Sequence, residues 1–112
     1  MHIDQLLTNI RVHIPFLSES DAADFLDDYD QSDRIAFVSA LYFGRSHIHS
    51  NKVDNDYSEY LFSGKMNRFW EQDSVDQDEI ARVLYEKGNN LNTYYDAFLL
   101  CTTNSNYDRD NY

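Results

Sequence analysis

Apolar residues recur along this chain at helical rather than strand spacing. Ile3, Leu6, Leu7 and Ile10 fall at i, i+3, i+4 and i+7, which predicts a first helix over about Ile3 to Val12. Pro15 disfavours helical geometry in the residue before it, so Val12 to Leu17 reads as a connection. Ser18 or Ser20 is placed to cap a second helix with the stripe Ala22, Phe25, Leu26 and Tyr29. Ser32 is expected to cap a third helix, over about Asp33 to Phe43. From Ile35 to Phe43 only Ser39 interrupts an apolar run, and a helix apolar on all sides belongs at the centre of a bundle. Gly44 stands where a left-handed residue is expected to end it.

Further along, Val53, Tyr57, Tyr60 and Leu61 keep helical spacing up to Gly64, and Met66, Phe69 and Trp70 suggest one or two turns. Ser74 and Gln77 have the spacing of a capping box, ahead of a helix with Ile80, Val83 and Leu84 that Gly88 closes. Asn90 or Asn92 opens a last helix with the stripe Leu91, Tyr94, Tyr95, Phe98 and Leu99. Period-two alternation is almost absent. The expected fold class is therefore all-α, a compact bundle of five or six short helices around a buried central helix. Residues 1–101 form the single domain. Residues 102–112 are polar and lack aliphatic anchors, so they are expected to form a flexible tail, although Tyr107 and Tyr112 are able to dock.

Composition narrows the class of function. A chain of 112 residues fits one domain and one modest core. With 42% hydrophobic and 15% aromatic residues it is too apolar for a disordered chain. No apolar run approaches the roughly 20 residues of a membrane-spanning helix, so no membrane association is expected. Met1 to Asp4 lack the pattern of a signal peptide. The lone Cys101 suits a reducing compartment, which makes a cytoplasmic location the expectation. The net charge of -11 disfavours direct contact with DNA or RNA and favours a basic partner or mimicry of a polyanion.

No catalytic signature is present. His47 and His49 lie two apart in a polar stretch, without the helical spacing of a zinc motif, so no metal or other cofactor is expected. Asp54 to Glu59 resembles the start of a calcium loop, but Glu59 and Lys65 stand where Gly and Glu are required. Asp54 or Asp56 is instead suited to cap the helix carrying Tyr57. Cys101 ends an apolar stripe, where a small buried residue is the simple reading. Three glycines build neither a nucleophile elbow nor a phosphate loop.

The acidic residues carry more information. Glu19, Asp21, Asp24, Asp27, Asp28, Asp30 and Asp33 follow one another with no base between them. Glu71, Asp73, Asp76, Asp78 and Glu79 form a second cluster. Acids in a first helical turn are stabilising, but Asp27 and Asp28 approach the end where the helix dipole opposes them. Asp21, Asp24 and Asp28 repeat at i, i+3 and i+7, a like-charge stripe that costs a few tenths of a kcal/mol per pair. Stability alone would place Lys or Arg there. Nine tyrosines accompany these acids, and tyrosine brings a large contact area at low entropic cost. The candidate partner-binding residues are Asp21, Asp24, Asp27, Asp28, Asp30, Asp33, Asp76, Asp78 and Glu79, with Tyr29 and Tyr94 as anchors.

The segment Phe25-Leu26-Asp27-Asp28-Tyr29, followed by Ile35 to Arg45, resembles the core motif of an uncharacterised family of short bacterial proteins. There an acidic helix precedes a buried helix that ends in an aromatic residue, an apolar residue, Gly and Arg. The stretch Ile80 to Leu99 is similar to that family's closing helix pair. The resemblance covers about half of the chain, departs at the His-bearing loop after Arg45, and implies an all-helical fold without an activity. In surface character the chain is similar to polyanion mimics that block restriction or CRISPR enzymes, and to immunity proteins that neutralise basic nucleases. The expected function is a non-enzymatic acidic protein that inhibits or sequesters a basic, nucleic-acid-handling protein. The alternative is a small homodimeric assembly module joined through Tyr57, Tyr60, Phe69 and Trp70.

Overall fold

The computed structural model describes residues 1–112 as six α-helices without a strand. They are α1 (Ile3–Arg11), α2 (Glu19–Leu26), α3 (Gln31–Arg45), α4 (Asn55–Phe62), α5 (Ile80–Lys87) and α6 (Asn90–Asn104). Single 3-10 turns occupy Gln77–Glu79 and Arg109–Asn111. The periodic stripes face inward as the spacing predicts, except at Tyr60 of α4, which is exposed; Ile3, Leu6, Leu7 and Ile10 of α1 are all buried. Each contributes about 1.5–3 kcal/mol by leaving water. Helix α3 is the central element, packed against α6, α5 and α1, while α2 packs against α5.

The close fit of α3 and α6 has a local cause. Gly44 does not end α3 in a left-handed turn; it lies within the helix, which runs on to Arg45. A Cβ at Gly44 would stand 1.7 Å from the Tyr94 carbonyl oxygen of α6, so the missing side chain is what admits the neighbouring backbone. Tyr95 spans the same interface from a fully buried position, its hydroxyl donating to the Phe37 carbonyl at 2.9 Å. Gly64 and Gly88 do take positive φ, at 81° and 54°, and close α4 and α5.

Three other expectations are corrected. Asp30 rather than Ser32 caps α3, its carboxylate accepting from the Asp33 amide at 2.9 Å. The Ser74–Gln77 capping box is not formed, because the Gln77 side chain donates instead to the Gln31 carbonyl at 3.2 Å. The flexible tail is also overturned. Helix α6 continues to Asn104, and Tyr107 and Tyr112 are buried against the core. Arg109 fastens this end to α1 through both carboxylate oxygens of Asp4, at 2.6 and 3.3 Å, and to Thr103 Oγ1 at 2.7 Å. Arg68 donates to the Tyr112 carbonyl at 3.2 Å and to the Met1 carbonyl. Composition alone misreads the segment because its anchors are two aromatic rings and long-range arginine contacts, not an aliphatic stripe.

Candidate partner-binding face

Helix α2 begins where Ser18 accepts a hydrogen bond from the Asp21 amide at 3.0 Å, the predicted cap. Ala22 and Leu26 turn inward, and the carboxylates of Asp21, Asp24, Asp27 and Asp28 turn outward. None of these four lies within 4.0 Å of a cation. The end of the helix, where Asp27 and Asp28 oppose the dipole, is relieved from elsewhere. Arg34 Nε donates to the carbonyls of Leu26 at 2.9 Å and Tyr29 at 2.8 Å. The guanidinium supplies positive charge at the α2 C-terminus without pairing with a carboxylate.

Asp21, Asp24 and Asp28 line one wall of a groove of about 600 Å³, and the Val12–Leu17 connection forms the other. Val12 and Leu17 are 82% and 84% exposed, the two most exposed large hydrophobic side chains of the chain. His13 packs on Phe25 at 4.9 Å and holds that wall against α2. The face is thus an acidic stripe beside two exposed aliphatic side chains. Neither Val12 nor Leu17 belongs to a helical stripe. That is the signal by which they are legible: large apolar residues flanking a proline, with no periodic face to join.

The remaining candidates divide. Asp30 is exposed but engaged as the α3 cap. Asp76 and Asp78 are exposed and unpaired, and the Gln77–Gln31 hydrogen bond brings their turn to the start of α3, beside Asp30. Glu79 is half-buried and pairs with Arg82 at 3.5 Å. Asp33 departs from expectation: it is buried and pairs with the Arg68 guanidinium at 2.8 Å and the Met1 ammonium at 3.0 Å. It holds the fold and does not face a partner. Tyr29 is no free anchor either. Its hydroxyl accepts from Asn9 at 3.1 Å, and its ring meets Phe37 edge-on at 5.4 Å. Tyr94 is half-buried, with its backbone pressed on Gly44.

No family model matches the chain, and no curated protein and no solved structure matches it either.

Other reactive side chains are accounted for within the fold. His47 is fully buried; its Nδ1 donates to the Phe43 carbonyl at 2.8 Å and its Nε2 accepts from the Asp54 amide at 3.0 Å. Both ring nitrogens are taken, so no lone pair remains for a metal. No group of three His, Cys, Asp or Glu side chains is arranged to hold an ion. Asp54 occupies the predicted N-cap position of α4, but its carboxylate turns to the Ser50 hydroxyl at 3.1 Å. Burial pushes the Cys101 thiol up, and the Asp54 carboxylate adds to the rise, which is the opposite of an activated nucleophile. No helix is long and apolar enough to cross a membrane.

Proposed function

We propose that the chain is a non-enzymatic acidic binding protein that docks on a basic, nucleic-acid-handling protein and blocks it, in the manner of a DNA mimic or a nuclease-immunity protein. One observation carries this reading: Asp21, Asp24 and Asp28 are exposed and unpaired along a groove whose opposite wall presents Val12 and Leu17. The carboxylates supply a run of negative charge for a basic cleft, and the aliphatic side chains supply area that loses water on contact. Arg34, the arginine at the end of α2, is committed to the Leu26 and Tyr29 carbonyls and leaves the stripe unneutralised. Long-range attraction then sets the rate of encounter, and the apolar pair slows dissociation.

The test is capture from bacterial lysate with the wild-type protein and with the D24N/D27N/D28N variant, under rising salt. A basic protein retained by the wild type, released as salt rises and lost from the variant supports the reading. The variant should fold with unchanged or slightly raised stability, because like charges have been removed. Retention of the same protein by the variant would rule out α2 as the contact.

A second reading is favoured by a separate observation: Tyr60, Phe69 and Trp70 are all exposed within one region. A homodimer joined there would persist in high salt, which light scattering resolves.

A further inference from the structure

Between α4 and the turns that follow it lies a cavity of about 230 Å³, lined by Asp56, Tyr57, Tyr60, Lys65, Met66 and Trp70. That volume is below the usual range for drug-sized ligands and admits one small head group. Met66 is buried and forms the floor, while Tyr60 and Trp70 stay exposed at the walls. The rings of Tyr57 and Trp70 stand 5.9 Å apart at 58°, two inclined panels rather than a closed stack. Asp56 adds an exposed carboxylate. Elsewhere the chain already seats cations on aromatic faces: Arg11 lies 5.9 Å from the Tyr95 ring centre and Lys87 lies 5.6 Å from that of Tyr42. The Tyr57–Trp70 panels carry none. Lys65 also lines the cavity, but its exposed, flexible stem lets the ammonium turn to water.

We propose that this cavity binds a small molecule bearing a quaternary ammonium group. Aromatic faces attract such a cation through their quadrupoles, Trp most strongly. A quaternary nitrogen has no N–H to satisfy, so the three rings and the Asp56 carboxylate, with the Lys65 ammonium turned away, suit it better than they suit a primary ammonium. The inference is independent of the α2 face.

Trp70 is the single tryptophan; it lines this cavity and a neighbouring one of about 510 Å³ beside Tyr42 and Phe43, and Tyr60, which lines only the smaller, tells the two apart. Choline chloride is titrated against sodium chloride of equal ionic strength, in parallel with 3,3-dimethyl-1-butanol, the uncharged analogue of the same shape. The expected result is a saturable change in emission with choline and none with the alcohol. Tyr60→Leu keeps an exposed apolar side chain and removes one ring; it should weaken choline binding by about fivefold or more. Lys65→Ala should tighten it. Equal responses to choline and the alcohol, no saturable response to choline, or unchanged affinity in Tyr60→Leu would each overturn the proposal. So would a choline-insensitive dimer that covers Tyr60.

Discussion

Asp28 and Asp33 are the same residue type five positions apart, and burial and pairing separate what they do. Asp28 faces water on the groove wall, whereas Asp33 is closed in by Arg68 and the Met1 ammonium. Replacing Asp28 by Asn should leave stability within a few tenths of a kcal/mol, since exposed surface substitutions rarely exceed that. Asp33→Asn should cost about 3 kcal/mol, because it leaves a half-buried guanidinium short of its countercharge. Urea unfolding of the two variants measures the contrast; equal midpoints would sink it. The distinction is not legible in the sequence, where both residues belong to one acidic run. It depends on Arg68, 35 positions away, and no local pattern announces that contact. His47 is similar: a polar stretch suggests a ring that caps the preceding helix or faces water, and the ring does bond the Phe43 carbonyl of α3 but is enclosed between Phe43, stacked at 4.3 Å, and Tyr57.

At the scale of elements, the helices themselves were readable because each must bury one stripe, and the stripe is written in the spacing. What joins them was not. Gly44 after an apolar run resembles a terminator, yet its use is the contact of α3 with α6. Gly44→Ala tests this. Its methyl group meets a backbone carbonyl rather than a movable side chain, so the helices must part, at a cost on the order of 3 kcal/mol. A variant as stable as the wild type would show that α3 and α6 adjust freely. Ser74 and Gln77 failed as a capping pair for a related reason: a longer-range acceptor, the Gln31 carbonyl, competes for the Gln77 amide. The candidate face was half legible. The acids of α2 stood out as an unbroken run, but the aliphatic wall of Val12 and Leu17 came from residues that fit no stripe.

For the molecule as a whole, the tyrosines give a pH dependence. Burial pushes the hydroxyls of Tyr95, Tyr107 and Tyr112 up, Tyr95 and Tyr112 far above the ordinary value; for Tyr107 and Tyr112 neighbouring groups, Asp108 and Tyr107 respectively, add to the rise. In the unfolded chain the same groups lose their protons near pH 10. Above that pH the unfolded state holds fewer protons than the folded one, so stability is intact below about pH 10 and falls as pH rises further. Absorbance of ionised tyrosine should therefore rise in two stages. The exposed rings ionise first, and the buried ones ionise together with the loss of helical circular dichroism. A single stage for all nine tyrosines with the helices intact would contradict the burial of the C-terminal rings.

The arrangement around Arg68 also closes the chain on itself. One guanidinium bonds the carbonyls of both Met1 and Tyr112, so the first and last residues are neighbours in space. A small gap separates residues 1 and 112. A few residues of linker bridge that gap, and the backbone can be opened instead at Gln72–Asp73, which is exposed. Such a circular permutant should fold to the same helical spectrum and keep Tyr107 and Tyr112 shielded. Joining the ends turns the Met1 ammonium into an amide, so Asp33 loses one of its two cations and the Arg68 contacts alone then hold the junction.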